Sequence, residues 1–548
     1  MTSRERSTYS AAAYAGARTE LQRATVEALV QTQSANEAAQ ILGKNPVDLQ
    51  KLYRRCIAKA EAEAEEAGED IHTEEPSTPC EARALLDYHR ARDVSRYVVV
   101  SAQNATPVHR GFMASIMRYC EDRGARLIVI PYRYKNPTSM FSKGDQENDW
   151  WAPELVPYML SSDVDITDTL MIAGSIKIRP TAQVPLSGMQ AYSKAKSMII
   201  GHPKVQLRSI PTIQGTLPKI LTTTGSVTVE NYTDSKAGRL GEFGHVIGGT
   251  ILETRGSAFQ LRQINADGRG GFTDLDRHYS PGGVTIAEPA EILTCGDVHH
   301  AQMDPEAERA TFCEGGLVDK VRPRRLAIHD LLDFRARNHH DAGDIFLEAE
   351  KARHGTDDVE AEVRAALEWL AWAAEGFEET LVVESNHNEA LTRWLKEGRG
   401  ATDPRNAWFY HRTMAALLAD PSGGREASHP LEYWYGVNHR QGPRGVRFLR
   451  RNESALVNGV EHSMHGDVGP NGSRGSTKAF DQLGVKSTSG HCHGPEIFGG
   501  VYRVGIMGDH QMGYNERGPG NWLTTHAIQY ATGARTLVTM VDGAFWID

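Results

Sequence analysis

The sequence predicts an α/β protein in three parts: an N-terminal helical segment, a middle α/β domain and a larger C-terminal α/β domain. Three observations lead there. Over residues 17–60 apolar positions recur at helical spacing, with a single proline. From residue 95 an apolar strand, an amphipathic helix and a second apolar strand follow one another. From about residue 285 strands alternate with helices to the C-terminus, including the strongly helical "VEAEVRAALEWLAWAAEGFEE".

The N-terminal segment, residues 1–60, contains "NEAAQILGKNPVDLQKLYRR". A small residue at Ala39, a glycine at Gly43 and apolar positions at Leu49 and Leu52 fit a helix-turn-helix. Lys51, Arg54 and Arg55 then face DNA phosphates. Residues 1–59 carry 9 Lys and Arg against 5 Asp and Glu, so the segment is locally basic. The plainer alternative is a helical hairpin used for packing or for self-assembly into a homo-oligomer. Residues 61–90 form an acidic linker. Ala60 to Glu81 holds nine acidic residues and no basic one, the pattern of a solvated spacer.

The middle domain, residues 91–284, opens with "SRYVVVSAQ", "PVHRGFMASIMRYCEDRG" and "ARLIVIPY", a strand, helix and strand of parallel α/β type. "DTLMIAG" and "AKSMIIGHP" continue in that style, while Thr222 to Gln263 reads as antiparallel. His109, His202 and His245 stand alone and read as structural.

Bulk properties bound the function. The chain has 548 residues, 40% hydrophobic and 24% charged, an ordinary globular balance. No apolar run approaches the roughly 20 residues of a membrane helix, and the N-terminus lacks the apolar core of a secretory signal. A cytoplasmic protein without a membrane partner is expected. The six cysteines are scattered with no CxxC pair, which argues against a disulfide framework or a Cys-rich zinc finger. A net charge of -10 excludes a chain that coats nucleic acid globally. It leaves room for a local basic patch, or for metal ions between an acidic site and phosphate.

The chemistry concentrates in the C-terminal domain, residues 285–548. Three apolar strands end in polar residues: "EILTCGDVHH" in Asp297 and His299, "RRLAIHDLLDF" in Asp330 and Asp333, and "TLVVESNHNEA" in Asn386 and His387. "HSMHGD" adds His465, with His462 as a rival, and "SGHCHGPEIFGG" adds His491 and His493. The C-terminal edge of an open α/β sheet is where ligand sites form. Residues i and i+2 of an extended segment point the same way, so Asp297 and His299 can share a metal with Val298 turned inward. By the same rule His491 and His493 face one side, with Cys492 a small buried side chain on the other. Carboxylate and imidazole without thiolate suit Mn, Fe, Zn or Mg.

In this order the five stretches resemble the calcineurin-like metallophosphoesterases over about 250 residues. The resemblance implies a β-sandwich flanked by helices and a site for two divalent metal ions, manganese foremost. It implies one metal on Asp297, His299, Asp330 and His493, and a second on Asp330, Asn386, His465 and His491, with Asp330 bridging. It further implies His387 as general acid and Asp333 as an orienting neighbour. The chain departs from the family pattern at His329 and Ser385, where glycine is usual, and at Asn388, where Asp or Glu is usual. These departures put turn geometry and support for His387 in doubt. Metal ligands are untouched.

The stretches "DFRARNHHD" and "MGYNERGPGNWLTTHA" offer Arg335, Arg337, Tyr514, Arg517 and Trp522 as DNA contacts. The second stretch is similar to the early DNA-degrading proteins of large tailed phages, related to SbcD-type nucleases. That similarity implies a DNA nuclease acting in the host cytoplasm. A nucleotide or cyclic-nucleotide phosphodiesterase, and a DNA-binding regulator with a stabilising metal site, are the alternatives. His300, His339 and His340 are extra histidines with no assigned role.

Overall fold

A computed structural model describes residues 95–135, 150–339, 341–419, 429–439, 445–513, 515 and 518–546, with isolated positions between Leu21 and Leu52. The helix-turn-helix residues Lys51, Arg54 and Arg55, the acidic linker, His340, Tyr514 and Arg517 lie outside the described residues.

The described chain is mixed α/β with several sheets. The first strand–helix–strand forms as β1 (Arg96–Gln103), α1 (Arg110–Arg123) and β2 (Arg126–Tyr132), with β1 and β2 parallel. His109 caps α1, its ring accepting from the Phe112 amide at 3.1 Å, so this lone histidine closes a helix end. Antiparallel β8 (Gly248–Arg255) and β9 (Ala258–Asn265) complete a four-stranded sheet in the order β2-β1-β8-β9.

Between them run β3 (Asp163–Asp165), β4 (Leu170–Ala173), β5 (Ser197–Ile200), β6 (Gln206–Ile210) and β7 (Lys219–Thr223). These five do not form a sheet of their own. They join β17 (Leu456–Val457), β18 (Val460–Glu461), β19 (Lys486–Ser489), β20 (Glu496–Phe498) and β21 (Val501–Arg503) in one ten-stranded sheet. The seam is the antiparallel pair β6–β20, with Arg208 opposite Glu496. Residues on both sides of position 284 therefore share a ladder. A small hairpin sheet, β10 (Phe272–Asp274), β11 (Arg277–Ser280) and β12 (Gly283–Ile286), precedes that position.

A six-stranded sheet carries the strands singled out in the sequence. Its order is β16-β15-β14-β13-β22-β23, from β13 (Ile292–Thr294), β14 (Arg325–Ile328), β15 (Glu379–Val382), β16 (Val446–Phe448), β22 (Thr525–Gln529) and β23 (Arg535–Thr539). β13 to β16 run parallel. The helix α2 (Val359–Ala373) buries Val363, Leu367 and Leu370 in the same apolar core as Leu293, Ile328 and Val382 of this sheet. Each such side chain contributes about 1.5–3 kcal/mol on burial. On the opposite face Ile292, Ala327 and Leu381 pack with Val383, Leu449 and Ala455. The C-terminal ends of β13, β14 and β15 thus meet the ends of β18 and β19, and the candidate site lies there.

Candidate metal centre

Backbone bonds continue past the strand ends and hold the site loops together. Val298 donates to the His329 carbonyl (3.0 Å) and His299 to that of Asp330 (2.7 Å). Asp297 is tied to the next segment through the Gly505 carbonyl (3.0 Å) and the Met507 amide (2.8 Å). His299, Asp330, Phe334, His491 and His493 all have positive φ. Each such non-glycine conformation costs about 1–3 kcal/mol, and such strain gathers at functional sites. The extended geometry expected at 491–493 does not form. With φ of 76° at His491 and 55° at His493 the segment is a tight bend, and Cys492 is half-buried instead of buried. The bend uses the His491 amide, which donates to Asp297 Oδ2 at 2.6 Å. Gly490 is required there, because a Cβ would stand 2.1 Å from Asp297 Oδ1.

Ligand-type atoms of Asp297, His299, Asp330 and His493 all lie within 4.8 Å of one another, and all four residues are buried. His493 Nε2 is 3.2 Å from Asp297 Oδ2 and 3.1 Å from His299 Nε2, which is 3.5 Å from Asp330 Oδ2. His299 uses its other nitrogen on Asp333 Oδ1 at 3.0 Å, and Asp333 Oδ2 accepts from Gln302 at 2.7 Å. With Nδ1–H given to Asp333, neutral His299 offers a lone pair inward. Asp297 Oδ1 and both Asp330 oxygens have no hydrogen-bond partner. Buried lone pairs and unpaired carboxylate oxygens converging on one point are costly unless a cation sits among them. The donor set is oxygen and nitrogen only, which suits a divalent ion of intermediate hardness.

A second group adjoins through Asp330. His465 Nε2 is 3.2 Å from Asp330 Oδ2 and 3.2 Å from Asn386 Oδ1. The His491 ring lies 5.2 Å from that of His465. Burial pulls the His465 imidazole down, but Asp330 and Asp297 outweigh it and lift it to about 9. Burial pushes His493 down to about 4. For Asp330, burial works upward, yet His465 and His387 hold the carboxyl well below its usual range. His462 is turned away, between Thr294 (3.2 Å) and Gln529 (2.7 Å). His387 is half-buried, its Nδ1 held by the Asp333 carbonyl at 3.1 Å and its ring 4.5 Å from that of His299.

The chain is 32% identical over 489 residues to Protein A1 of Escherichia phage T5, a match covering 86% of each chain. It belongs to the family of that phage protein. No family model matches this A1-family chain. No solved structure matches it either.

Other expected residues of this A1-family member fall in several places. Arg335 is exposed at the edge of the site. Arg337, expected at DNA, instead grips Asp403 with two bonds (2.6 and 3.2 Å) and lies 3.6 Å from Asp357, so its charge is used within the protein. Trp522 packs against His493 with ring centroids 4.2 Å apart. Asn388, a departure from the expected pattern, is buried and bonds Leu332 and Val383, tying two site loops together. Sequence reading missed Gln302, which holds Asp333. It also missed Arg451, which clamps Asp467 (2.6 and 2.8 Å) and Glu389 (2.8 Å) beside His465. Their partners lie 16 to 62 residues away, out of reach of any local pattern.

Proposed function

We propose that this A1-family protein is a metal-dependent phosphodiesterase whose substrate is DNA. The observation that carries this is the buried convergence of Asp297, His299, Asp330 and His493, with carboxylate oxygens that make no hydrogen bond. Two divalent ions, manganese foremost, would be held by those residues and by Asp330, Asn386, His465 and His491. When bound they would acidify a water and neutralise phosphate charge. The six- and ten-stranded sheets are read as the two layers of a metallophosphoesterase sandwich.

The chain's own residues supply the rest. Asp333 orients the His299 ring. His387 donates Nδ1–H to the Asp333 carbonyl, and in its doubly protonated form it gives the Nε2 proton to the departing oxygen, leaving the neutral Nδ1–H ring. Arg335 supports a polyanionic substrate. Its amide and that of Ala336 are held by Glu362 (2.7 and 2.8 Å), and its carbonyl accepts from Lys351 (2.7 Å). A rigid backbone thus presents an exposed guanidinium beside the site. Arg393, also exposed, lies 3.3 Å from the ring of His339, which is four residues along the chain from Arg335.

The test is cleavage of linear and circular DNA by purified protein under Mn, Mg or EDTA, with His387→Ala as control. Cleavage under Mn that chelator abolishes and His387→Ala depresses is expected. Protein that leaves every DNA form intact under Mn refutes the nuclease reading. Turnover of nucleotides alone would make the enzyme a nucleotide phosphodiesterase.

A further inference from the structure

His329 is the residue that the metal reading leaves without a task. It is fully buried at the end of β14, next to Asp330, where the metallophosphoesterase pattern has glycine. Its carbonyl already accepts from Val298, so the backbone is fixed independently of the ring. Among the described residues the ring is within hydrogen-bond range of His465, its Nδ1 3.3 Å from His465 Nδ1 with the rings 5.5 Å apart and tilted by 30°, and one of its nitrogens lies within 4.8 Å of an Asp297 carboxylate oxygen. Its Nε2 has no hydrogen-bond partner.

Two facing ring nitrogens need one proton between them. His465 turns its other nitrogen, Nε2, to Asp330 and Asn386 at 3.2 Å each. For Nε2 to offer a lone pair to a cation, the His465 proton must stand on Nδ1, and a neutral acceptor must face it. His329 Nδ1 is that acceptor. We infer that His329 is a positioning residue, which fixes the tautomer and orientation of His465 and thereby tunes the Asp330–Asn386–His465 half of the site.

The two halves are built alike but not equally. His299 leans on a carboxylate, Asp333, at 3.0 Å; His465 leans on a neutral imidazole at 3.3 Å. A carboxylate partner raises the donor strength of a ligating imidazole more than a neutral one does. The His465 half is therefore the weaker cation site.

This inference rests on the metal reading, and manganese binding separates the two. Free Mn(II) is titrated by electron paramagnetic resonance against wild type, His329→Ala and His329→Gln, with circular dichroism as a check on folding. Wild type takes up two ions in unequal steps. His329→Ala weakens the second step by about 10–100-fold and leaves the first within about threefold. His329→Gln, whose amide oxygen can accept the His465 proton, recovers most of the loss. If the alanine variant does not fold, a folded His329→Gln that keeps both steps supports the inference, and one that loses the first step overturns it. Wild type that binds two ions, with His329→Ala unchanged in both steps, overturns this inference alone. Wild type that binds no manganese overturns the metal reading and this inference with it.

Discussion

Asp333→Asn isolates one hydrogen bond at the centre of the site. Asp333 Oδ1 faces His299 Nδ1 at 3.0 Å and Oδ2 accepts from Gln302 Nε2 at 2.7 Å. The substitution keeps the shape and removes the charge. Its oxygen can still face His299, but its NH2 then meets the Gln302 NH2, and a Gln302 amide flip restores an acceptor there. The fold should lose only about 1 kcal/mol. His299 exchanges a charge-assisted bond of roughly 1.5–3 kcal/mol for a neutral one of roughly 0.5–1.5 kcal/mol. The difference, about 1–1.5 kcal/mol, is close to one tenfold step in affinity at about 1.36 kcal/mol per decade. Manganese binding by isothermal titration calorimetry should weaken about tenfold in the tighter step. Asp333→Ala, which strands both His299 and Gln302, should weaken it further. If Asp333→Asn binds manganese as tightly as a wild type that holds two ions, His299 is not a ligand oriented by Asp333.

Three more predictions follow from the same geometry. Cys492→Ser should keep its full metal content by elemental analysis, since no metal-competent group among the described residues includes a cysteine; a loss of metal would place the thiol in the site. Replacing Arg335 and Arg393 with alanine should lower the salt dependence of DNA binding by about one unit of slope per arginine. Hydrolysis of a small chromogenic phosphodiester should be unchanged, and an equal loss on both substrates would contradict a strand-contacting role. Asp403→Asn should cost about 1.5–3 kcal/mol at pH 7 in denaturant unfolding. Burial raises the Asp403 carboxyl, but Arg337 outweighs it, so the folded value is depressed. Its contribution is therefore full above the unfolded value of about 3.9 and disappears as pH falls through the folded one. The gap between variant and wild type should begin to narrow below about pH 4 and vanish only once the pH is below the depressed folded value; a gap that stays constant throughout that acid range would mean the loss is one of packing.

Much of the candidate site was legible because short apolar runs marked β13, β14 and β15 and the polar residues followed at once. Asp297, Asp330 and Asn386 sit just past those strand ends, and His465 and His493 meet them from β18 and β19. The local geometry was less legible. Asp297 and His299 converge about the buried Val298, as alternation implied, but the positive φ of His299 and the ladder to residues 329–331 were not legible. Alternation could not reveal the bend at His491–His493, because the turn is set by the distant carboxylate of Asp297. The shared ten-stranded sheet was hidden for a similar reason. The apolar pattern of β6 states which face is buried but not that its partner is β20, nearly three hundred residues on. Arg337 read as a free cation because Asp403 lies 66 residues away.

The most direct test of the two-metal reading is an anomalous difference map from a crystal of the full chain grown with manganese. Two peaks roughly 3.5–4 Å apart are expected. Asp330 should lie between them, with Asp297, His299 and His493 on one and Asn386, His465 and His491 on the other. A map with no peak at Asp330, or with its only peaks elsewhere on the chain, would contradict it.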